Sequence, residues 1–284
     1  MHLTRHLASL GWEVARLLRR DLESLTPSSA AGVLDFAWDG TTESAIQAVA
    51  DAAPSVVFHL ASLFVAEHGP ADVVPLTSSN LVVGTQIAEA MLQCGCRRLV
   101  NTGTSWQRDA EGRYDPVCLY AATKQAFEDL LAYYVSAEGF RLITLRLYDT
   151  YGPCDRRAKL FAAMRNAVAS GSAVSMSPGE QLLDLVHIDD VVHAFAIAGE
   201  RLLQGDEGMA SYDVSSGRRV SLRDVARMYG DVVGCEVPIA WGERPYRRRE
   251  VMVPPPGQAL PGWQPTVRLE DGIAAMEAAD VERT

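Results

Sequence analysis

Residues 98–147, RLVNTGTSWQRDAEGRYDPVCLYAATKQAFEDLLAYYVSAEGFRLITLRL, form the stretch that decides the fold. A short apolar run at 98–102 predicts a buried strand, and residues 120–138 have the apolar spacing of a helix. That helix ends at Gly139, and residues 141–147 predict a second strand. Two strands joined by a long helix are typical of a parallel crossover, so the stretch predicts a βαβ unit.

The alternation of strands and helices continues on the amino-terminal side of this unit. Residues 55–61 form a β-rich apolar run after Pro54, and residues 78–93 have the spacing of an amphipathic helix with Ser78 or Ser79 as N-cap. Further upstream, the pattern predicts a helix at 2–10, a strand at 13–19 and a second helix at 41–53. Strands that alternate with helices in this way favour an α/β protein with a doubly wound parallel sheet.

The chain divides into two lobes at about residue 150. Beyond Gly152 the pattern becomes irregular and richer in Gly, Pro and Arg, which is typical of a smaller second lobe built from later segments. We predict a larger α/β lobe from residues 1–150 together with about 184–215. The smaller lobe comprises about 151–183 and 216–284.

Composition narrows the classes of function. The 284 residues are 48% hydrophobic and carry a net charge of -10, without a basic stripe or a charge block. This chain can bury a full core, and its charge disfavours nucleic acid and anionic membranes as partners. No apolar run is long enough to span a bilayer, and the N-terminus lacks the apolar core of a signal peptide. With five cysteines that show no metal-finger spacing, we expect a cytoplasmic protein with reduced thiols.

Tyr120 and Lys124 lie four residues apart in the predicted helix of the βαβ unit. This spacing places the phenol and the ammonium on one face of the helix, within reach of one bound molecule. A neighbouring cation favours the phenolate, so the Tyr120 pKa is expected to fall toward a range that suits proton transfer. Thr104 follows the preceding strand, and if it faces Tyr120 the three side chains form a site suited to a carbonyl or an alcohol.

Six short motifs match one enzyme family in that family's order along the chain. They are FHLAS at 58–62, NLVVGT at 80–85, TGTSWQ at 102–107, LYAATK at 119–124, LRLYDTYGP at 145–153 and DLVHIDDV at 184–191. The chain thus resembles, along nearly its whole length, the extended short-chain dehydrogenase/reductases that act on nucleotide-diphosphate sugars. The resemblance implies a Rossmann-type dinucleotide-binding lobe, a smaller substrate-binding lobe, and NADPH or NADH as cofactor. It also implies that Thr104, Tyr120 and Lys124 are the catalytic residues.

Within this family, three segments look most like the abequose and paratose synthases: residues 102–107, 114–117 and 119–129. That resemblance implies reduction of the C4 ketone of a CDP-4-keto-3,6-dideoxyhexose by NADPH. Epimerisation at C4 would use the same three catalytic residues and remains an alternative. Dehydration would need an added acid/base pair after the catalytic Thr, and Ser105-Trp106 at that place disfavours it.

The start of the chain departs from the family pattern. Relatives open with a strand and a Gly-x-x-Gly-x-x-Gly turn whose backbone N–H groups hold the cofactor pyrophosphate. Here residues 1–7 already resemble the helix that follows that turn, so about a dozen residues and the central strand of the sheet are expected to be missing. Two explanations stay open: a start recorded at an internal methionine, which we favour, or a shortened form with a weakened cofactor site.

The resemblance assigns residues to the cofactor. Arg19 and Arg20 end the strand that reads the adenosine ribose, where two arginines favour the 2′-phosphate of NADPH; solvated surface arginines are the alternative. Asp39 is assigned to the adenine, although Asp-Gly is also an ordinary turn sequence. Asn80 suits either a tether for the loop after its neighbouring strand or a helix cap. The other assigned residues are Leu60, Ala61, Ser62, Thr102, Tyr120, Lys124 and Tyr148.

The resemblance assigns further residues to the nucleotide sugar. Arg247 is the first choice and Arg249 the second for neutralising the diphosphate. Asp149 stands where many relatives carry Asn. Asp190 is expected to cap a helix at 191–198 rather than to bind a metal, and no metal site is predicted. The complete predicted substrate set is Thr104, Ser105, Trp106, Asp149, Lys159, Arg247 and Arg249.

The sequence therefore predicts an NAD(P)H-dependent 4-ketoreductase that acts on a nucleotide-diphosphate 4-keto-6-deoxy sugar. A 4-epimerase of the same family is one alternative. A cofactor-poor relative that only binds a sugar nucleotide or a partner chain is another, which the absent glycine turn would permit. The apolar helices at 78–93 and 119–137 predict a homodimer held by a four-helix contact.

Overall fold

The computed structural model describes residues 1–19, 32–155, 160–206 and 208–281, and shows an α/β protein. Its helices are α1 (His2–Ser9), α2 (Thr42–Ala52), α3 (Val73–Thr77), α4 (Val83–Gln93), α5 (Leu119–Glu138), α6 (Leu160–Ser170), α7 (Ile188–Gln204), α8 (Leu222–Val233) and α9 (Leu269–Val281). Its strands are β1 (Val14–Arg19), β2 (Val33–Trp38), β3 (Val57–His59), β4 (Arg98–Thr104), β5 (Arg141–Leu147), β6 (Asp149–Tyr151), β7 (Val174–Met176), β8 (Leu182–His187), β9 (Met209–Val214), β10 (Arg219–Ser221) and β11 (Ile239–Trp241). None of the described helices combines the length and the apolar character needed to cross a bilayer.

Two parallel sheets form the larger lobe. One contains four strands in the order β3-β4-β5-β9, and the other pairs β1 with β2. The βαβ unit predicted from residues 98–147 is confirmed: β4 and β5 pair in parallel from Arg98–Arg141 to Thr104–Leu147, joined by α5. The sequence analysis did not predict β2, whose six residues are apolar except for Asp35 and so lack the alternation of a half-buried strand.

The two parallel sheets are separate within the described residues. There, β1 hydrogen-bonds only to β2, while β3 forms the edge of its sheet and pairs only with β4. The rings of Trp12, just before β1, and Phe58, in β3, lie 6.0 Å apart. Helix α1 packs against both β1 and α7, and α7 also packs on β4 and β5. Helices α1 and α7 therefore connect the two parallel sheets.

The smaller lobe has its own apolar core. It combines the sheet β10-β8-β6 with the pair β11-β7. Buried side chains from α6, α8 and α9, including Met164, Val225 and Ile273, pack together in this lobe. In the larger lobe, Phe127 and Leu131 of α5 belong to a cluster that also joins α2 and α4.

Helix α4 begins differently from the expected helix at 78–93. Helix α3 continues into it through a wide turn at Ser78–Val82, with helical backbone angles at both Thr77 and Val83. Ser78 and Ser79 therefore lie inside a helical segment, and their prediction as N-caps was wrong. The wide turn brings the Asn80 side chain, which is 1% exposed, into the interior.

Helix α7 also starts earlier than predicted. It begins at Ile188 after the N-cap His187, whose Nδ1 accepts a hydrogen bond from the Asp189 N–H at 3.3 Å. The buried Asp190 carboxylate instead accepts three hydrogen bonds, from the Thr266 N–H and hydroxyl and from the Val267 N–H. The prediction that Asp190 caps a helix was wrong, because its side chain holds a later loop against the larger lobe.

Candidate active site

Thr104 ends β4 and is held by the turn that follows it. Its N–H donates to Oε1 of Gln107 at 2.8 Å, and its Oγ1 accepts a hydrogen bond from the Trp106 N–H at 3.3 Å. A hydroxyl carries one proton and can also accept. Because the oxygen already accepts from the turn, the Thr104 hydroxyl proton is the group left for donation to a ligand oxygen.

The segment before α5 is tied to the same turn. The Val117 N–H donates to the Trp106 carbonyl oxygen at 3.0 Å. The Phe64 ring then contacts the Tyr120 ring edge-on, with centroids 5.0 Å apart, and the Trp106 ring at 5.6 Å. The structure therefore gathers the predicted catalytic Tyr and the residues just after Thr104 around one aromatic side chain.

Lys124 lies one turn beyond Tyr120 on α5 and is almost fully buried, with 2% of its surface exposed. Burial lowers the pKa of its ammonium to about 8, while the charge of Glu128 acts in the opposite direction. Burial, followed by the Lys124 charge, lowers the pKa of the neighbouring His59 to about 3. At neutral pH the site thus holds one cation on Lys124 and a neutral His59.

Asn80 holds the loop after β3 against α5. Its Oδ1 accepts from the Leu63 N–H at 2.7 Å and from the Ser62 hydroxyl at 3.2 Å. Its Nδ2 donates to the Leu63 carbonyl and to the Thr123 hydroxyl, both at 3.0 Å, and Thr123 in turn donates to the Tyr120 carbonyl at 2.7 Å. Of the two interpretations of Asn80, the loop tether is therefore the one the structure contains. It fixes the loop relative to the catalytic helix.

Sequence reasoning missed a buried polar cluster beneath Thr104. Gln107, Glu128 and Arg146 are 0%, 1% and 7% exposed, and the Arg146 guanidinium donates to Glu128 at 2.8 Å. The signal available in the sequence was Glu128 four residues after Lys124, which places both on one helical face. Nothing in the sequence showed that Arg146, from the next strand, would meet it.

Arg19 ends β1, at the place predicted to read the adenosine ribose. Its guanidinium lies over the Trp38 ring, 5.7 Å from the ring centroid, and beside Gly40. Asp39 accepts hydrogen bonds from the Thr41 N–H at 2.9 Å and from the Thr41 hydroxyl at 2.7 Å. Arg19 and Asp39 therefore share the carboxyl end of the β1–β2 sheet. Arg20 lies outside the described residues.

The remaining predicted cofactor residues divide into two groups. Leu60, Ala61 and Ser62 are exposed at the carboxyl end of β3, where a ligand can approach the backbone. Thr102 is buried and donates its hydroxyl to the His59 carbonyl at 2.8 Å, so it joins β4 to β3. The Tyr148 hydroxyl donates to the Pro255 carbonyl at 3.0 Å, and burial raises the pKa of that phenol. Thr102 and Tyr148 thus have structural partners.

A cavity of about 470 Å³ opens beside Trp106 and extends into the smaller lobe. Of the predicted substrate residues, Ser105, Trp106, Asp149 and Arg247 line it, and Arg244 joins them. The Arg247 guanidinium lies 5.4 Å from the centre of the Trp106 ring. The cavity therefore has the Phe64 and Trp106 rings in its wall, together with Arg244 and Arg247. Thr104, Tyr120 and Lys124 are not among its lining residues.

Two of the described predicted substrate residues, Thr104 and Arg249, are not among the residues that line the cavity. Arg249 forms an ion pair with Asp115, on the segment that leads into α5. Lys159 lies outside the described residues. Among the residues that the structure describes, no group of three His, Cys, Asp or Glu side chains is placed to hold a metal ion.

The residues present fit one half of a nicotinamide dinucleotide. The open backbone at Leu60–Ser62 and the buried Lys124 ammonium suit the nicotinamide ribose half. At the pyrophosphate half, α1 begins at His2, and the first glycine of the sequence is Gly11. The Met1 ammonium is half-buried there, and burial, then Arg16 and Arg5, lowers its pKa. Within residues 1–19, the first N–H groups of α1 are backbone donors at a helix N-terminus, which is the kind of group that binds phosphate.

A nucleotide-binding α/β enzyme is the class that this fold and site define. The model of the NAD dependent epimerase/dehydratase family matches residues 1–214. The chain belongs to this family, and it is an NAD(P)-dependent enzyme of the nucleotide-sugar epimerase and reductase type.

Three known proteins illustrate the likeness. A CDP-abequose synthase of Yersinia pseudotuberculosis is 28% identical over 217 residues, which cover 75% of this chain and 74% of that protein. A UDP-glucose 4-epimerase of Mycolicibacterium smegmatis is 28% identical over 80% of this chain and 76% of its own length. The crystal structure of a Thermus thermophilus UDP-glucose 4-epimerase in complex with NAD is 23% identical and has a TM-score of 0.83, with 100% of this chain and 96% of that one covered.

Proposed function

We propose that this chain reduces the C4 carbonyl of a nucleotide-diphosphate 4-keto-6-deoxy sugar to an alcohol. The observation that carries the proposal is the composition of the wall around Thr104 and Tyr120. That wall consists of the Phe64 and Trp106 rings, in contact with each other and, through Phe64, with Tyr120. Beside it, the Thr104 hydroxyl and the Tyr120 phenol offer protons to an oxygen. Ser105 and Trp106 stand where a dehydratase would need a second acid/base pair after the catalytic Thr. The similarity to a CDP-abequose synthase supports the same choice.

The chemistry of this chain's residues follows from their protonation. When bound, the nicotinamide supplies a hydride to the carbonyl carbon, and negative charge develops on the carbonyl oxygen. Tyr120 donates a proton to that oxygen, and the Thr104 hydroxyl donates a hydrogen bond to it. The Lys124 cation favours the phenolate that remains after the transfer. We also propose that the Lys124 ammonium donates hydrogen bonds to the hydroxyls of the nicotinamide ribose.

Two arginines of the cavity wall are suited to binding the diphosphate of the nucleotide sugar. Arg244 and Arg247 are exposed cations on the cavity wall, and guanidinium groups bind phosphate oxygens in a bidentate manner. We therefore keep Arg247 as the first diphosphate ligand and add Arg244. Arg249 pairs with Asp115, so we assign it to stabilising the segment before Tyr120 and no longer to the diphosphate. The smaller lobe then serves as the substrate lobe, and residues 1–150 with 184–215 serve the cofactor.

The cofactor preference rests on the carboxyl end of β1. Arg19 is an exposed cation that packs on the Trp38 ring, and a guanidinium in this position suits the 2′-phosphate of NADPH. We therefore propose NADPH as the favoured reductant and NADH as the weaker one.

A coupled assay tests the reductase proposal against epimerisation. The purified chain is mixed with NADPH and a nucleotide-linked 4-keto-6-deoxy sugar generated by a dehydratase, and loss of NADPH is recorded. A ketoreductase consumes one NADPH for each alcohol formed. An epimerase instead interconverts the C4 alcohols of a UDP-hexose without net consumption. Turnover with the UDP-hexose alone would refute the reductase assignment.

A homodimer completes the proposal. The turn before α4 exposes Val82, and helix α5 exposes Leu130 and Tyr133; these side chains are 52%, 42% and 58% accessible. Large exposed apolar side chains on neighbouring helices favour a helix contact with a second copy. Light scattering at micromolar concentration is expected to give twice the chain mass, and Tyr133→Asp is expected to reduce it. A monomeric mass for the unaltered chain would contradict this.

A further inference from the structure

The buried polar cluster of Gln107, Glu128 and Arg146 lies directly under the catalytic strand end. Both carboxylate oxygens of Glu128 are occupied: Oε1 accepts from Gln107 Nε2 at 2.7 Å, and Oε2 accepts from Arg146 Nη2 at 2.8 Å. Gln107 uses its own oxygen to accept the Thr104 N–H at 2.8 Å. One amide therefore links the Glu128 carboxylate to the backbone of Thr104.

The cluster packs tightly against the backbone just before Thr104. A Cβ at Gly103 would lie 2.9 Å from Arg146 Cγ, 2.9 Å from Gln107 Oε1 and 3.1 Å from Glu128 Oε1. Contacts this short leave no room for a side chain at Gly103. Any displacement of the Glu128 carboxylate is therefore passed on to the end of β4.

Stability alone is a poor explanation for this cluster. A buried ion pair commonly gives no more stability than apolar side chains of the same volume. Here Arg146 also has two buried nitrogens, Nε and Nη1, that find no hydrogen-bond partner among the described residues. An arrangement with this cost points to a role in the site that it supports.

The charges around Lys124 supply that role. Glu128 lies one turn further along α5, on the face that Lys124 occupies. The other titratable neighbours are Tyr120 on α5 and His59 on β3, and His59 is neutral. Arg146 from β5 faces the far side of Glu128. Glu128 is thus the anion that opposes the loss of charge that burial would otherwise impose on Lys124.

We propose that Glu128, held by Arg146 and Gln107, is a positioning residue that acts on two catalytic residues at once. Through Gln107 it holds the Thr104 backbone, and through its charge it keeps Lys124 protonated. The activity readout of this inference rests on the proposed reductase function, whereas its stability readout does not.

Three variants test the proposal. Glu128→Gln keeps the shape of the side chain and removes its charge, and Glu128→Asp keeps the charge. Glu89→Gln is the matched control, because Glu89 accepts a hydrogen bond from Tyr134 of the same helix at 2.6 Å, ten residues beyond Lys124. For each variant, the pH dependence of ketoreductase turnover is measured together with the free energy of unfolding in denaturant.

Removal of the Glu128 charge should move the basic limb of the pH profile, where turnover falls at high pH, to lower pH. A nearby opposite charge shifts a pKa by roughly one unit or more, so Glu128→Gln should lower the midpoint by about that amount. Glu128→Asp should lower turnover without moving the midpoint, and Glu89→Gln should match the unaltered chain. A Glu128→Gln midpoint equal to the unaltered one, or a Glu128→Asp midpoint as low as that of Glu128→Gln, would overturn the proposal.

The unfolding measurement does not depend on the reaction. Lys124 has a pKa of about 8 when folded and 10.5 ordinarily, so between these values the unfolded chain binds more protons and stability rises with pH. Relative to the unaltered chain, Glu128→Gln should begin this rise about one pH unit lower. If stability began to rise at the same pH in both chains, the proposed effect of the Glu128 charge on Lys124 would be overturned, even if the chain showed no reductase activity.

A fourth variant keeps the proposal testable if Glu128→Gln does not fold. Gln107→Met removes the acceptor for the Thr104 N–H but leaves the Glu128 charge. It should lower kcat by at least tenfold while KM and the basic limb stay unchanged. Unaltered kcat in folded Gln107→Met would overturn the proposed hold of Glu128 on the Thr104 backbone.

Discussion

The two parallel sheets of the larger lobe differ in how fully their strands are buried. In the four-stranded sheet, every residue of β4 after Arg98 is buried, and Leu142 to Arg146 of β5 are buried as well. In the two-stranded sheet, β1 has no fully buried residue, and β2 has one, Trp38. Apolar content does not explain the difference, because β4 has only Leu99 and Val100 as large apolar residues, whereas all of β2 except Asp35 is apolar. Burial differs because β4 and β5 have neighbours on both sides, while β1 and β2 have one each among the described strands.

The difference separates the two halves of the site. Thr104 stands at the end of a strand with partners on both edges, and Lys124 lies on a helix packed against that strand. Arg19 stands at the end of a strand with one hydrogen-bonded partner. We therefore expect the catalytic residues to be well positioned. Binding of the adenosine half of the cofactor should depend on what pairs with the edge of β1 that has no strand partner among the described residues.

Loss of the Tyr120 proton is the largest expected effect and tests the catalytic half directly. Tyr120→Phe removes the transferable proton and keeps the ring that contacts Phe64. Turnover should fall by roughly 10²–10⁴, which is the usual contribution of one general acid, and affinity for the nucleotide sugar should persist. Stopped-flow turnover and calorimetric binding of the same preparation measure both. Full activity in this variant would remove the catalytic assignment and the reductase proposal together.

Thr104→Ala tests the end of β4 with a smaller expected effect. It removes one donor to the developing oxyanion, and we expect a loss of about 2–4 kcal/mol in transition-state stabilisation. Thr104→Ser, which keeps the hydroxyl, serves as its control. Equal kcat/KM in the two variants would show that Thr104 acts only as part of the strand.

The cofactor half is tested by extending the chain upstream. The 284-residue chain should bind NADPH weakly, and a version preceded by a strand and a glycine-rich turn should bind it at least about tenfold more tightly. One added charge-assisted hydrogen bond to the pyrophosphate is worth about 1.5–3 kcal/mol, which accounts for that factor. Calorimetric titration compares the two versions. Tight binding by the short chain would show that β1 already has all the partners it needs.

The pH dependence of turnover tests the protonation of Lys124. Its pKa of about 8 lies below the ordinary 10.5, so the cation is present at neutral pH and is lost as the pH rises through 8. Turnover should therefore fall about tenfold for each pH unit above that point. In Lys124→Arg the guanidinium stays charged, so this basic limb should move to higher pH, where only the loss of the Tyr120 proton remains to cause it. A flat profile for the unaltered chain up to about pH 10 would contradict the role of Lys124.

Arg19→Glu has the smallest expected effect and tests the β1 side. A carboxylate beside the adenosine ribose repels a 2′-phosphate and accepts a hydrogen bond from a free 2′-hydroxyl. The ratio of kcat/KM for NADPH to that for NADH should therefore fall by at least about tenfold. Arg16→Glu in the same strand, where Arg16 pairs with Asp35, is the matched control for general damage to β1. An unchanged ratio for Arg19→Glu would leave Arg19 a surface residue.

The sequence predicted the best-paired parts of this molecule most closely. The strand at 141–147 and the end of α5 at Gly139 are as predicted, because a segment rich in Leu and Ile and a left-handed glycine determine them locally. The wide turn at Ser78–Val82 was not predicted. No local preference encodes it, and it is stabilised by the bonds of Asn80 to Leu63 and Thr123, which are distant in sequence.

The candidate site divides in the same way. The spacing of Tyr120 and Lys124 placed both on one face of a helix, and the hydroxyl after β4 followed from the strand pattern. The ion pair of Glu128 with Arg146 joins α5 to β5, and that of Arg249 with Asp115 joins the smaller lobe to the segment before α5. Sequence spacing carries no information on such pairs, because their distance is set by how separate elements pack.

The sequence by itself determined the alternation of strands and helices, the family motifs and the chemical groups available for proton transfer. Each of these depends on residues a few positions apart, where backbone geometry fixes the spacing. Only the tertiary structure decided that Lys124 is buried beside Glu128, that Thr104 is held through Gln107, and that β1 and β3 lie in separate sheets within the described part of the chain. These properties depend on desolvation and on contacts between distant segments, which exist only once the chain has packed.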